Sequence, residues 1–370
     1  MSGIYIHIPF CRQACHYCNF HFSTSLRYKN ELISSLLKET DLQYENFRDE
    51  TVGTVYLGGG TPSLCSPEEI SRILDKLRSR FLITADAEIT LEANPDDIHQ
   101  QKLEGWREAG INRLSIGIQS FFEEDLRWMN RAHSARQAID NLRLAIGSFN
   151  NITIDLIYGT PDLSNEKWKQ NVETALSLGI PHLSCYALTV EPKTPLDKMI
   201  REKRVAEVDT DKQSEQFLLL MEWLAAAGYE HYEISNFAKP GLRSRHNSSY
   251  WQGKKYLGIG PSAHSFDGDA RWWNIANNNK YISSINEGVL PLEKELLTPV
   301  QKLNEYIMIS LRTMEGLDLD KLDEPRRAAV LQRSKKYREG EMLFVENNFL
   351  RLTRKGKLMA DGIAADLFFD

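Results

Sequence analysis

The sequence alternates between short apolar, β-branched segments and longer segments with the periodicity of amphipathic helices. Six apolar segments predict β-strands at residues 4–8, 51–57, 88–92, 113–118, 152–157 and 182–188. The segments between them predict helices at residues 28–47, 67–81, 98–109, 135–148 and 167–178. Because parallel neighbours need a crossover connection, this alternation favours a parallel sheet covered by helices. We therefore predict an α/β fold built on a partial (β/α)6, TIM-like barrel.

Polar and glycine-rich segments directly follow five of the predicted strands. They lie at residues 9–22, 58–62, 92–95, 119–120 and 158–159. In parallel barrels and open sheets, the residues that carry chemistry collect at the carboxyl ends of the strands. We therefore expect these loops to converge on one face and to form a single site.

The remainder of the chain changes character. With 370 residues, the chain is longer than an ordinary single domain. A region rich in aromatic residues, Gly, Asn and Ser spans residues 229–273, and the last part predicts helices with a β-hairpin that turns at Asn347-Asn348. We predict a barrel over residues 1–228, an aromatic-rich extension over 229–290 and a small C-terminal α+β, winged-helix-like domain over 291–370.

Charge and hydropathy exclude some classes of protein. The chain has 45 basic and 51 acidic residues and a net charge of −6, which disfavours a protein that grips nucleic acid through a basic surface. A solvated face is the more economical explanation for the basic residues near the C-terminus, which are Arg326, Arg327, Lys335, Lys336, Arg354, Lys355 and Lys357. No apolar run approaches the roughly 20 residues that span a bilayer, and no signal segment begins the chain. We expect a cytoplasmic protein without an integral membrane segment.

Three of the five cysteines crowd one predicted loop. Cys11, Cys15 and Cys18 have the spacing C-x3-C-x2-C directly after the first predicted strand, whereas Cys65 and Cys185 stand alone. This uneven placement does not suit a disulfide framework, and the two isolated cysteines are most simply buried apolar residues. Three thiolates in so short a loop can bind one soft metal site, either zinc or an iron–sulfur cluster.

The two metal hypotheses differ in their fourth ligand. A structural zinc site needs four protein ligands, and His16 or His21 in the same loop could supply the fourth. A [4Fe–4S] cluster bound by three cysteines leaves one iron without a protein ligand, which suits a site where a small molecule binds to that iron.

The cysteine spacing, the strand before it and the later loop Gly59-Gly60-Thr61-Pro62 together resemble the radical S-adenosylmethionine (SAM) superfamily. The resemblance implies a partial barrel of the radical SAM type and a [4Fe–4S] cluster on the three cysteines. It also implies that the open iron chelates the amine and carboxylate of SAM, and that an electron from the cluster cleaves SAM to a 5′-deoxyadenosyl radical. We call residues 9–22 the cluster loop.

Polar residues at the ends of the predicted strands could form the SAM pocket. Gly59 and Gly60 would let the backbone approach a ligand closely and bond its amine through peptide groups, although an ordinary tight turn would also explain them. Glu92 ends an apolar strand and would face solvent or a ribose hydroxyl. Asp155 lies within an apolar strand, where burying an unpaired carboxylate costs several kcal/mol. A structural ion pair between Asp155 and Arg131 is the alternative.

The resemblance extends over most of the chain, to about residue 281. Segments 58–63, 91–95, 113–121, 154–159 and 232–237 are similar to the group that contains anaerobic coproporphyrinogen III oxidase and the heme chaperone branch. The resemblance assigns the SAM pocket to Tyr5, Tyr17, Gly60, Thr61, Glu92, Gln119, Arg131 and Asp155. Asn130 stands before Arg131 where the group usually has glycine, which leaves the geometry of that loop open.

Two departures from the decarboxylating oxidase favour the heme chaperone branch. The oxidase carries a further cysteine two residues after the third one, where this chain has Phe20, and it has a long extension before the cluster loop. The segment 245–251 instead resembles the H-N-x-x-Y-W signature of the chaperone branch, which is associated with heme binding.

The signature residues could either bind heme or pack in the hydrophobic core. A neutral histidine can bind iron, and aromatic rings offer flat apolar area to a macrocycle. The resemblance therefore assigns heme binding to His246, Asn247, Tyr250 and Trp251, without making His246 the axial ligand. The alternative is a hydrogen-bonded polar histidine among core aromatics.

These expectations lead to one main hypothesis and two alternatives. The main one is a protein that binds heme, a [4Fe–4S] cluster and SAM and delivers heme to client hemoproteins, among which respiratory-chain enzymes are candidates. The first alternative is an oxygen-independent coproporphyrinogen III oxidase, which decarboxylates its substrate to protoporphyrinogen IX. The second is a zinc-stabilised module whose C-terminal part meets nucleic acid.

Overall fold

Six parallel strands form the centre of the computed structural model, which describes all 370 residues. They are β1 (Ser2–Ile8), β2 (Thr51–Gly59), β3 (Leu82–Ala93), β4 (Arg113–Gln119), β5 (Ile152–Tyr158) and β6 (His182–Ala187). Each strand pairs in parallel with the next one along the chain. The first and sixth strands do not pair with each other, so the barrel stays open. The predicted α/β fold with a partial (β/α)6 barrel is confirmed.

Helices connect these strands and cover the sheet. They are α1 (Lys29–Leu42), α2 (Tyr44–Phe47), α3 (Pro67–Arg80), α4 (Gln100–Ala109), α5 (Glu123–Trp128), α6 (Ala135–Ser148), α7 (Asn165–Ser177), α8 (Pro195–Arg201) and α9 (Thr210–Ala226). Capping boxes at Ser66 and Ser134 satisfy the first backbone N–H groups of α3 and α6 and fix where these helices begin. The buried residues of α3 are Ile70, Ile73, Leu74 and Leu77, whose spacing places them on one face of the helix.

The region after α9 extends the same sheet at both edges. Its elements are β7 (Glu230–Glu233), β8 (Asn236–Ala238), α10 (Arg245–Trp251), β9 (Tyr256–Ile259), β10 (His264–Phe266), β11 (Ala270–Asn274), α11 (Asn278–Asn286) and β12 (Leu292–Leu296). Strand β9 pairs in parallel with β1 and continues into the antiparallel strands β10 to β12, while β8 and β7 extend the edge beyond β6. The aromatic-rich region is therefore part of the main sheet.

The C-terminal region forms a small α+β unit. It contains α12 (Pro299–Leu311), β13 (Leu317–Asp318), α13 (Glu324–Arg333), α14 (Lys335–Glu339), β14 (Leu343–Glu346), β15 (Phe349–Leu352) and α15 (Ala360–Asp366). Its three strands form an antiparallel sheet with the order β13-β15-β14, and the hairpin turns at Asn347-Asn348 as expected. This unit has its own hydrophobic cluster, distinct from that of the barrel. The exact division of the chain at residues 228 and 290 stays a prediction.

The basic residues of the C-terminal region are mostly paired with acids. Side chains that lie 2.5 to 3.7 Å from a carboxylate oxygen are those of Arg326, Arg327, Lys335, Lys336 and Arg354. Lys357 instead turns inward and lies 2.9 Å from His231 Nδ1. This arrangement fits a solvated face of mixed charge. Across the whole chain, no helix combines the length and the apolar character that crossing a bilayer requires.

Candidate functional site

A cavity of about 410 Å³ opens at the carboxyl ends of the parallel strands. The predicted site residues that line it are Cys11, Cys15, Tyr17, Cys18, Gly59, Gly60, Thr61, Glu92, Gln119, Arg131 and Asp155. The cluster loop, strands β2 to β5 with the turns that follow them, and, for Arg131, the loop after α5 supply these residues. Most of them lie where the parallel strands end at one edge, as expected. The structure therefore brings together all the residues predicted for the cluster and for SAM except Tyr5.

The three cysteines of the cluster loop form no disulfide and are partly buried. The hydroxyl of Thr61 lies 3.5 Å from Cys11 Sγ, and the Arg131 guanidinium donates to Cys15 Sγ at 3.4 Å. Donors of this kind stabilise thiolate ligands. Cys65 and Cys185, in contrast, are buried in the hydrophobic core, as predicted.

Each histidine that could complete a zinc site is hydrogen-bonded through one ring nitrogen, a bond that zinc-binding histidines also make. His16 Nδ1 lies 2.7 Å from the carbonyl oxygen of Trp128, and His21 Nε2 lies 2.7 Å from Asn278 Oδ1. No group of three or more His, Cys, Asp or Glu side chains is arranged around a position for one metal ion. The three thiolates fit a [4Fe–4S] cluster, since they would bind three irons and leave the fourth iron without a protein ligand.

The Gly59-Gly60-Thr61 turn lies against the start of the cluster loop. A Cβ atom on Gly60 would lie 2.6 Å from the carbonyl oxygen of Phe10, so only glycine fits there. Gly60 N donates to the carbonyl oxygen of Ile8 at 2.9 Å, and Thr61 N donates to that of Phe10 at 2.6 Å. These N–H groups bind the turn to the protein. Since an amine donates hydrogen bonds, the carbonyl oxygens of the turn are the peptide groups that could accept from it.

Glu92 is held at the base of the cavity by two donors. The Tyr56 hydroxyl donates to Oε1 at 2.7 Å, and Gly59 N donates to Oε2 at 3.1 Å. Burial raises the pKa of Glu92, while these two hydrogen bonds act in the opposite direction. The carboxylate therefore has a fixed orientation inside the cavity and does not extend into bulk solvent.

Arg131 joins the cluster loop to β4. Its guanidinium donates to Asn94 Oδ1 and to the carbonyl oxygen of Gly117, each at 2.8 Å, in addition to Cys15. A Cβ atom on Gly117 would lie 3.2 Å from Arg131 Nη2, so this glycine makes room for the guanidinium. The ion pair between Arg131 and Asp155 that was the alternative is not formed, because the guanidinium is bonded to these other partners.

Asp155 and Gln119 face the same cavity from β5 and β4. Burial, followed by the nearby Glu92 carboxylate, raises the pKa of Asp155 from 3.8 to about 7. Gln119 ends its strand at a β-bulge with a φ of 68°, in the left-handed region. Asp155 therefore carries a proton at slightly acidic pH, whereas an exposed aspartate would be ionised.

Tyr5 does not line the cavity. Its ring stacks on Tyr56 at 6.1 Å between centroids, and its hydroxyl lies 3.2 Å from His7 Nδ1. His7 Nε2 in turn lies 3.0 Å from the carbonyl oxygen of His21, at the end of the cluster loop. Tyr5 therefore supports the site from beneath through Tyr56 and His7.

Several residues that line the cavity were not predicted from the sequence. They include Ser115, Gly117, Tyr186 and Glu191. Gly117 carried a usable signal, because a glycine inside an apolar strand often marks a close approach by another group. Tyr186 had none, since an aromatic residue in a β-strand is most simply part of the core.

The predicted heme residues lie on α10, away from the cavity. His246 is only 1% exposed, with Nδ1 2.8 Å from Thr54 Oγ1 and Nε2 2.9 Å from the Tyr250 hydroxyl. Both ring nitrogens are thus engaged, and burial lowers the pKa of His246 to about 3, which keeps the imidazole neutral. The ring also stacks on Tyr56, with 5.0 Å between centroids.

The other signature residues face different neighbours. The Trp251 ring lies beneath the Arg312 guanidinium, 5.1 Å from its centroid, and Asn247 is half-buried in the first turn of α10. None of the four signature residues lines the cavity that holds the cysteines. Their role in heme binding stays a prediction.

Both the sequence and the fold match known proteins. The sequence matches the radical SAM superfamily over residues 5–175 and the HemN C-terminal domain over residues 297–359. The fold is similar to that of coproporphyrinogen III oxidase (HemN) from Escherichia coli, with a TM-score of 0.86 and 24% identity over 99% of this chain and 90% of that one. The radical SAM superfamily implies a [4Fe–4S] cluster and SAM as cofactors.

Relatives from several bacteria carry the name heme chaperone HemW. The Mycobacterium tuberculosis (strain H37Rv) protein is 35% identical over 99% of this chain and 94% of its own length. The Escherichia coli (strain K12) protein is 39% identical over 71% of this chain and 69% of its own length. The chain therefore belongs to the radical SAM superfamily and, within it, to the HemW family.

Proposed function

We propose that this protein binds a [4Fe–4S] cluster and SAM in the cavity and carries heme to client hemoproteins. The observation that carries the proposal is the single cavity in which three thiols meet the residues suited to bind SAM. Cys11, Cys15 and Cys18 hold the cluster, and the HemW relatives supply the name heme chaperone. Respiratory-chain enzymes are the clients we consider first.

Each cavity side chain has a defined task in this proposal. Glu92, fixed by Tyr56 and Gly59, accepts a hydrogen bond from a ribose hydroxyl of SAM. Arg131 neutralises part of the thiolate charge and holds the loops of Asn94 and Cys15 together. When bound, the cluster supplies the electron that cleaves SAM in this superfamily.

Two observations support heme as the cargo. Phe20, at the position where the oxidase has a cysteine, lines the cavity and is 69% exposed. Tyr186 across the cavity is 42% exposed. Flat apolar area of this kind suits a macrocycle.

The signature on α10 offers a second contact for heme. Tyr250 and Trp251 keep some exposed area, and segment 245–251 resembles the signature that is associated with heme binding. Since both ring nitrogens of His246 are engaged, iron could bind this residue only in exchange for Thr54 or Tyr250. We therefore propose that His246 is not the axial ligand in the conformation described here.

One anaerobic preparation with a reconstituted cluster tests the proposal. Heme titration followed by visible absorbance should show binding, and the loaded protein should transfer heme to an added apo-hemoprotein. A parallel incubation with SAM and coproporphyrinogen III should give no protoporphyrinogen. Formation of that product would contradict the chaperone proposal and support the oxidase alternative, and zinc without sulfide in the metal analysis would contradict the cluster.

A further inference from the structure

A continuous line of contacts runs from the α10 signature to the carboxylate at the base of the cavity. The imidazole of His246 stacks on the ring of Tyr56 with 5.0 Å between centroids and 24° between planes. The Tyr56 hydroxyl donates to Glu92 Oε1 at 2.7 Å. Only one side chain therefore separates His246 from Glu92.

The position of His246 is itself fixed on both sides. Thr54 Oγ1 and the Tyr250 hydroxyl engage its two ring nitrogens at 2.8 and 2.9 Å. The backbone N–H groups of Arg245 and His246 donate to the Glu88 carboxylate at 3.0 and 2.9 Å. Glu88 and Glu92 lie on the same strand, β3, so the start of α10 is anchored to the strand that carries the cavity carboxylate.

Glycines on β1 and β2 leave space for these rings and for the side chains next to them. A Cβ atom on Gly3 would lie 3.2 Å from His246 Cε1. One on Gly58 would lie 2.8 Å from Tyr56 Cε1 and 3.0 Å from Glu92 Oε1. Close packing of this kind transmits the loss of one ring to the next, because a gap forfeits contacts that the neighbours cannot recover without moving.

We propose that His246 is a positioning residue for SAM binding, which holds the Tyr56 ring so that its hydroxyl orients Glu92. The inference rests on the proposed function, because it presumes that SAM contacts Glu92. It assigns to the signature histidine a task on the SAM side of the protein, distinct from heme ligation.

The test measures SAM affinity by equilibrium dialysis on cluster-loaded protein, with heme titrated on the same samples. His246→Ala removes the stack, Tyr56→Phe removes only the hydroxyl, and the double variant carries both changes. We expect each single variant to weaken SAM binding about fivefold to tenfold, the range of one lost hydrogen bond or its alignment. Heme affinity should change by less than about twofold in Tyr56→Phe, because Tyr56 is not among the residues assigned to heme.

His182→Ala is the matched control. His182 is also a fully buried histidine in the barrel, with Nε2 2.7 Å from the Tyr232 hydroxyl and the two rings in edge-on contact. It has no contact with Tyr56 or Glu92, so its loss should lower stability and leave SAM affinity near that of the wild type.

Each outcome supports or overturns the inference. If His246 acts through Tyr56, the double variant should bind SAM about as weakly as Tyr56→Phe alone, because coupled residues are not additive. Unchanged SAM affinity in His246→Ala, or a loss of heme binding alone, overturns the inference. If His246→Ala fails to fold, the single variants His246→Gln and Tyr56→Phe decide the question. Wild-type SAM affinity in Tyr56→Phe would then count against the inference. A wild-type protein that binds no SAM would overturn the proposed function and this inference together. Wild-type SAM affinity in the variants would overturn only this inference and leave the proposed function standing.

Discussion

Asn130 Oδ1 accepts a hydrogen bond from Gln13 Nε2 at 2.5 Å, and this contact joins the loop before Arg131 to the cluster loop. The Asn130 amide also donates to the carbonyl oxygen of Ala14 at 2.7 Å. The residue adopts a φ of 56°, which glycine and asparagine tolerate better than other residues. Asparagine therefore keeps the backbone conformation that a glycine would allow. Its side chain adds two hydrogen bonds to the loop between Cys11 and Cys15.

Asn130→Gly should loosen the cluster loop without straining the backbone. The variant keeps the left-handed conformation and loses the side-chain bonds to Gln13 and Ala14, so we expect the cluster to be lost several-fold faster in air. The rate is measured from the decay of visible absorbance. Asn130→Ala loses the same bonds and adds strain of about 1 kcal/mol, which urea unfolding should detect. A glycine variant that keeps its cluster as long as the wild type would show that the Asn130 side-chain hydrogen bonds do not contribute to cluster retention.

Cys15→Ala should abolish the cluster and leave the protein folded. The cluster loop lies at the carboxyl edge of the sheet, and Cys15 is not part of the hydrophobic core. We expect loss of visible absorbance, of iron and of sulfide, with a nearly unchanged circular dichroism spectrum. Cys65→Ala is the matched control, because that thiol is buried in the core and its loss should cost stability but not the cluster. Global unfolding of Cys15→Ala would argue against the prediction.

The sequence predicted the parallel barrel well because its signals are local. Apolar strands and helical periodicity indicate where elements lie, and five of the six strands have their polar loop at the same end. That common end is why Glu92, Gln119 and Asp155 could be assigned to one site before any contact was known.

Contacts between distant parts of the chain could not be predicted in the same way. Nothing near His246 in the sequence shows that its ring contacts Thr54 and Tyr56, which lie on strand β2. Tyr5 stacks on Tyr56 in the same group of rings, although the family resemblance assigned it to the SAM pocket. In both cases the contacts of the residue depend on which side chains meet in the folded protein. Strand periodicity predicts only the face of the strand on which a side chain lies.

Arg312→Ala should destabilise the protein at the contact between α10, α12 and β7. Arg312 Nη2 lies 3.0 Å from Glu233 Oε1, and the Glu233 side chain is only 1% exposed. The same guanidinium covers the ring of Trp251. Removing it leaves a buried carboxylate with fewer partners, so we expect a loss of about 2 kcal/mol in the free energy of unfolding, measured in urea. Arg326→Ala, which breaks a surface pair with Asp323, should change stability by less than about 0.5 kcal/mol.

The pKa of Asp155 should make stability fall as the pH rises towards neutrality. Burial and the Glu92 carboxylate raise its pKa from 3.8 to about 7, against the opposing influence of Arg113 and Arg131. Between those two values the folded protein binds more protons at this position than the unfolded chain, so raising the pH favours unfolding. Above pH 7 the carboxylate is ionised in both states and the penalty is complete.

Asp155→Asn removes this penalty and provides the test. We expect the variant to gain about 1 to 2 kcal/mol relative to the wild type between pH 5 and pH 8, in urea unfolding at matched cluster content. Asp49→Asn serves as the control, because that side chain is almost fully exposed and should leave the pH profile of the wild type unchanged. Parallel profiles for Asp155→Asn and the wild type would mean that the aspartate is already ionised at pH 5, as it would be if water in the cavity or an unrecognised donor stabilised its charge.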